Sequence, residues 1–154
     1  MRPRAIVSPV PFVVDPAAVI RDIMKTKVIR ISADDSLGTV KEIMELAHVR
    51  HLPVMRHGKL VGIVSQRDLL RASLSNVMGL PADEQQLFLE GVKIGEVMSG
   101  EPVGIAPDAS VREAARIMAE RKIGCLPVLE NGELIGIVTE IDVLRCFAAL
   151  DVDV

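Results

Sequence analysis

Apolar residues fall along the chain in two alternating rhythms. After the acidic cap Asp34-Asp35-Ser36, Leu37, Val40, Ile43, Met44 and Ala47 recur at helical spacing, which predicts an amphipathic helix. The short apolar runs Val28 to Ile31, Leu52 to Met55 and Leu60 to Val64 read as strands. The last two are joined across His57-Gly58 as a hairpin. Ser65 then caps a helix running toward Met78. Upstream, Asp15-Pro16 is a good helix start, giving a short helix from Pro16 to Met24.

The same order recurs further on. Ile20 to Arg71 aligns without a gap onto Ile94 to Arg145, 74 residues later, with roughly a third of the positions identical. Val103 to Ile105 is the first strand of the second copy and Ser110 to Glu120 its helix. Leu126 to Leu129 and Leu134 to Val138 form a hairpin across Asn131-Gly132, and Thr139 caps the last helix. Gly79-Leu80-Pro81 breaks the chain between the copies, and Ala82 to Val92 bridges them as a helix. Each copy is β-α-β-β-α and has too little helix to cover both faces of three strands. The expected fold is therefore mixed α/β, of the α+β kind, with the two copies packed about a pseudo-two-fold axis. The divisions are an N-terminal arm and helix start (1–19), repeat 1 (20–71), linking helices (72–93), repeat 2 (94–145) and a helix end and tail (146–154).

Composition narrows this picture. Hydrophobic residues are 49% of the 154 and charged ones 25%, with no Trp or Tyr and three Phe. The core must be aliphatic, and a bound base cannot rest on tryptophan or tyrosine. The seven Met suit an adaptable aliphatic core. No window approaches a transmembrane span and no apolar leader opens the chain, so a cytoplasmic location is expected. Cys125 and Cys146 have no cysteine counterparts in repeat 1 and read as free thiols. The net charge of −3 argues against nucleic-acid binding. Repeat 1 carries +4 and repeat 2 carries −4, an asymmetry that can steer an anionic ligand or serve complementary surfaces.

The informative chemistry is Gly-apolar-apolar-Ser/Thr-x-x-Asp, found as Gly62 to Asp68 and Gly136 to Asp142. It sits at a strand-to-helix junction. There the helix N-terminus favours anions, a cap hydroxyl can reach phosphate or sugar, and a carboxylate one turn on can accept from both ribose hydroxyls. The glycine permits close approach. The same spacing is also that of a capping box, in which the acid only satisfies backbone donors. His48-x-x-His51 has a metal-like spacing, but no cysteine or carboxylate cluster completes a shell, so no metal is expected. No nucleophile-base pair is readable and no catalytic residue is expected.

Two copies of Ile/Val-Met (Ile23-Met24, Val97-Met98), Leu-Pro-Val, Gly and Gly-Ile-Val-Ser/Thr-x-x-Asp, covering about residues 20–145, resemble a tandem pair of CBS domains, named for cystathionine β-synthase. The resemblance implies a regulatory module without catalytic activity, commonly a homodimer. Its clefts hold AMP, ADP or ATP, with S-adenosylmethionine or NAD(H) as further possibilities, and its effector is an unidentified protein. From the charge and hydropathy above, neither a nucleic-acid nor a membrane partner is expected. By motif position, Asp68 and Asp142 are ribose carboxylates, and Ser65 and Thr139 are adjacent hydroxyls. Arg67, Arg50, Arg121 and Lys122, with His48, are candidates for phosphate. Val28, Ile29, His51, Leu52 and Pro53, with Pro102, Val103, Cys125, Leu126 and Pro127, flank the base. Glu140 is expected to put a carboxylate in the Asp142 cleft, giving that cleft a less charged ligand or none. The other reading is a dimeric scaffold with degenerate clefts, in which both aspartates only cap helices.

Overall fold

The computed structural model describes residues 18–77, 79–98 and 101–149. Repeat 1 contributes α1 (Ile20–Ile23), β1 (Ile31–Ser32), α2 (Leu37–Ala47), β2 (His51–Arg56), β3 (Lys59–Ser65) and α3 (Gln66–Val77). After α4 (Ala82–Gly91) and a 3-10 turn at Ile94–Glu96, repeat 2 adds α5 (Val111–Arg121), β4 (Cys125–Glu130), β5 (Glu133–Thr139) and α6 (Glu140–Ala149).

Local signals shape the elements that the two copies share. The Ser36 and Ser110 hydroxyls accept from the N–H groups of Thr39 and Glu113 and so start α2 and α5. Those helices end at His48 and Lys122, both left-handed, with φ of 54° and 55°. The hairpins turn at His57-Gly58 and Asn131-Gly132, all four residues at positive φ. That is the conformation matching the twist of paired strands. Both hairpins run in identical antiparallel register, Leu52 opposite Val64 and Leu126 opposite Val138.

The opening strands are shorter than expected. Only Ile31 and Ser32 pair, in parallel, with Val54 and Met55. Val28 to Arg30 lie outside any strand, because residues 25–31 cross from one repeat to the other. Lys25 exchanges backbone hydrogen bonds with Ile137 of repeat 2 (2.9 and 3.0 Å), and the Arg30 guanidinium donates to the Leu134 carbonyl at 2.7 Å. In repeat 2 the expected strand Val103 to Ile105 reduces to a single bridge, Ile105 to Val128. The helix expected over Pro16 to Met24 is the one turn Ile20–Ile23. The Asp15-Pro16 start lies outside the described residues.

The crossing segments exchange cores. Ile20, fully buried, belongs to the cluster built from repeat 2 with Val111, Leu126, Val128 and Val138. Ile94, its counterpart 74 residues on and equally buried, belongs to the repeat 1 cluster with Leu37, Val40, Leu52 and Val64. The backbone bonds repeat the exchange. Ile20 and Arg21 donate to Ala109 and Pro107, while Ile94 and Gly95 donate to Asp35 and Ala33. Each isoleucine stabilises the opposite half by about 1.5–3 kcal/mol. Neither half closes its core alone, and the pseudo-two-fold relation follows from this reciprocal loan. β3 and β5 meet across the axis.

Candidate functional site

Both glycine-to-aspartate motifs form capping boxes. At the start of α3, Ser65 N–H donates to Asp68 Oδ2 at 2.8 Å, and Asp68 N–H returns to Ser65 Oγ at 3.1 Å. At the start of α6, Asp142 Oδ2 accepts from Thr139 N–H at 2.9 Å and from the Thr139 hydroxyl at 3.0 Å. Capping therefore uses Oδ2 in both copies. The difference lies in the other oxygen. Asp142 is 7% exposed, and its Oδ1 faces Lys25 Nζ at 3.7 Å. Asp68 is half-buried, and its Oδ1 has no partner among the described residues. A carboxylate with one committed and one open oxygen can cap a helix and also accept from a ligand.

Asp68 lines a cavity of about 760 Å³ between the repeats, within the range of small-molecule sites. From repeat 1 come His51, Ser65, Arg67, Asp68 and Arg71; from repeat 2 come Pro102, Val103, Lys122, Cys125 and Pro127. The period of β4 explains the second set. Cys125 and Pro127 face the cavity, while Leu126 and Val128 point into the core cluster. Leu52 and Leu126 are thus core residues, not cavity lining. Pro53 is fully buried. Val28, Ile29, Arg50, Arg121, Thr139 and Asp142 line neither this cavity nor the shallower depression around Arg30, Asp34 and Arg56. The structure brings together four of the residues expected from repeat 1 and five of those expected from repeat 2.

Size differences between the copies favour this cleft. Ala115, Ala119 and Gly124 line the cavity; their counterparts in repeat 1 are Lys41, Glu45 and Arg50. Three small residues leave room where the other copy has long side chains. Comparing the copies for size was the signal that would have pointed to this cleft. Arg71 and Glu101 also line the cavity and were not singled out from the sequence.

Glu140 is a correction. It lines the Asp68 cavity, not an Asp142 cleft. Residue 140 opens α6 beside the axis, and its N–H donates to the Gly124 carbonyl at 3.0 Å, which aims the side chain across toward repeat 1.

Burial lowers the His51 pKa below its usual 6.5, against the opposing pull of Glu140 and Asp68, so the imidazole is mainly neutral at pH 7. Burial also raises the Cys125 thiol to about 12, with Asp142 adding to the shift. At neutral pH the Cys125 thiol is therefore protonated and forms a weakly polar part of the cavity wall. Both cysteines are free. Among the described residues no group of three or more His, Cys, Asp or Glu could hold a metal ion.

A cleft between two halves that repeat the same helix, hairpin and helix, with one motif aspartate on its wall, defines the class: a paired-repeat module with a ligand-sized cavity. The CBS domain model matches residues 20–75 and 94–149, and the chain belongs to the CBS domain family, with two copies. Over 117 residues it is 35% identical to an inosine-5'-monophosphate dehydrogenase of Korarchaeum cryptofilum, covering 75% of this chain but 21% of that protein. It thus spans about a fifth of that relative. A CBS domain-containing protein of Dictyostelium discoideum is 32% identical over 127 residues, 81% of this chain and 88% of its own. Among solved structures, the CBS domain pair of protein MJ0100 in complex with 5'-methylthioadenosine and S-adenosyl-L-methionine is similar, with a TM-score of 0.74 at 26% identity. It covers 88% of this chain and 100% of that one. CBSX2 in complex with AMP gives 0.69 at 28% identity, over 89% and 99%.

Proposed function

We propose that this chain is a regulatory module that binds one adenosine compound in the cavity between its repeats and performs no catalysis of its own. The observation that carries this reading is the open Oδ1 of Asp68 on the wall of that cavity. Asp68 accepts from the ribose hydroxyls. Ser65, Arg67 and Lys122 meet the 5' substituent. Pro102, Val103, Cys125 and Pro127 flank the base with apolar surface. Related CBS pairs whose structures hold AMP, or 5'-methylthioadenosine with S-adenosyl-L-methionine, support the ligand class. AMP, ADP, ATP, S-adenosylmethionine and NAD(H) are the compounds to test. In the second motif Asp142 is buried, with Oδ2 used by the α6 cap and Oδ1 facing Lys25, which supports one site per chain.

A ligand bridging the repeats shifts the population toward one relative orientation, by no more than its differential affinity. The reader of that shift is an effector on another polypeptide. The exposed Leu70 and Leu74 of α3 and Ile141 of α6 support a homodimer through these helices. Free cysteines support a cytoplasmic location, and among the described residues no helix is long and apolar enough to cross a membrane.

The test is a dye-based thermal-shift panel of these compounds on the wild-type protein and Asp68→Asn. A saturable shift with an adenosine compound, lost in Asp68→Asn while the unliganded melting temperature stays close to wild type, supports the reading. No shift with any compound favours the constitutive scaffold.

A further inference from the structure

The charges lining the cavity balance: Arg67, Arg71 and Lys122 against Asp68, Glu101 and Glu140. A site that grips a di- or triphosphate through side chains needs a surplus of cations, because every added phosphate brings another charge to neutralise. Here the two signs are equal in number, so the lining carries no surplus of cations.

Glu140 stands where this matters. Its carboxylate Oε1 lies 3.3 Å from the point where a side chain on Gly124 would begin, and His51 Cε1 comes within 3.4 Å of the same point. Asp68, Arg50 and Arg67 act electrostatically on that imidazole along with Glu140. Glu140 thus lines the same cavity as Asp68 and Arg67, the residues to which the proposed binding mode assigns the ribose and its 5' substituent. Among the described residues Glu140 makes no ion pair and its side chain makes no hydrogen bond, so its charge is available to a ligand. In repeat 1 the counterpart is the neutral Gln66.

We propose that Glu140 sets the charge preference of this site. It admits adenosine compounds whose 5' substituent is short and weakly anionic, or cationic, and it disfavours polyphosphate chains. The inference rests on the adenosine reading above. Two unit charges about 6 Å apart in a water-like dielectric change affinity about threefold, and salt reduces this at an exposed carboxylate.

The experiment is isothermal titration of the full chain, without divalent metal, with adenosine, AMP, ADP, ATP and S-adenosylmethionine, on wild type and Glu140→Gln. The expected result is a graded response. In Glu140→Gln, ATP binds about threefold or more tighter, ADP gains less, adenosine stays unchanged and S-adenosylmethionine weakens. A uniform change across all five compounds, or weaker ATP binding, overturns the inference and leaves the adenosine reading standing. Absence of binding by every compound to wild type overturns both. Glu140→Ser replaces the glutamine variant if the latter fails to fold, with the same outcomes.

Discussion

Lys25, in the segment that crosses between the repeats, places its Nζ 3.7 Å from Oδ1 of Asp142 in the opposite repeat. The contact is anchored from behind by the paired backbone bonds between Lys25 and Ile137. Its two members are unequal. Asp142 is 7% exposed and also caps α6, whereas Lys25 is 56% exposed.

That inequality predicts unequal costs. Asp142→Ala removes a cap and strips the half-buried Thr139 hydroxyl and N–H of their acceptor, costing about 1–3 kcal/mol. Lys25→Ala removes an ion pair that solvent largely screens and costs under about 1 kcal/mol. Urea denaturation of both variants checks this, and similar losses would show that the lysine holds more than a surface charge. Ligand binding at the Asp68 cavity is expected to survive both substitutions.

Gly136 is expected to tolerate no side chain. A Cβ there would lie 2.8 Å from Met24 Sδ and 2.9 Å from the Lys25 carbonyl oxygen. The methionine can move, but the carbonyl belongs to the bridge with Ile137 and cannot move without breaking it. Gly136→Ala should cost about 1–3 kcal/mol and loosen the crossing segment. Faster amide exchange at Ile137 is the specific readout; an unchanged exchange rate would mean the segment moves freely.

His51 gives a pH dependence of definite sign. Its pKa is lowered on folding, by burial, so the unfolded chain binds more protons around pH 6.5. The contribution is fully present above that value and is lost as pH falls through it toward the folded pKa. Stability from urea melts should therefore decline between pH 7.5 and 5.5. His51→Gln should flatten that decline. A wild-type profile that rises over this range would contradict the buried, neutral imidazole.

Cys125 gives the opposite limb. Its thiol is raised from 9.0 to about 12, so the unfolded state ionises first and stability is lost as pH climbs above about 9. At pH 8 the native thiol should resist a disulfide reagent. The more accessible Cys146 should then be the faster of the two, and denaturant should release both. Rapid modification of Cys125 in the native protein would mean that the cavity wall opens.

Much of the architecture was legible along the chain because its causes are local. Helical spacing after Ser36 and Ser110, turn residues at His57-Gly58 and Asn131-Gly132, and the recurrence at 74 residues each act within a few positions, and α2, α5 and both hairpins follow them. The capping-box alternative for Asp68 and Asp142 was legible too, and the geometry shows the boxes formed. What the linear pattern did not hold was which half supplies what to the other. Ile20 and Ile94 read as members of their own repeats, yet each fills the opposite core. Glu140 sits one residue from Thr139, yet lines the cavity of Asp68. The sizes of Ala115, Ala119 and Gly124 against Lys41, Glu45 and Arg50 were visible from the start. They acquire meaning only after the two faces are opposed. Spacing records what one element does to its neighbours in sequence. The pairing of two similar halves depends on long-range packing across the axis, and there the small residues of one copy leave room for the cavity beside Asp68.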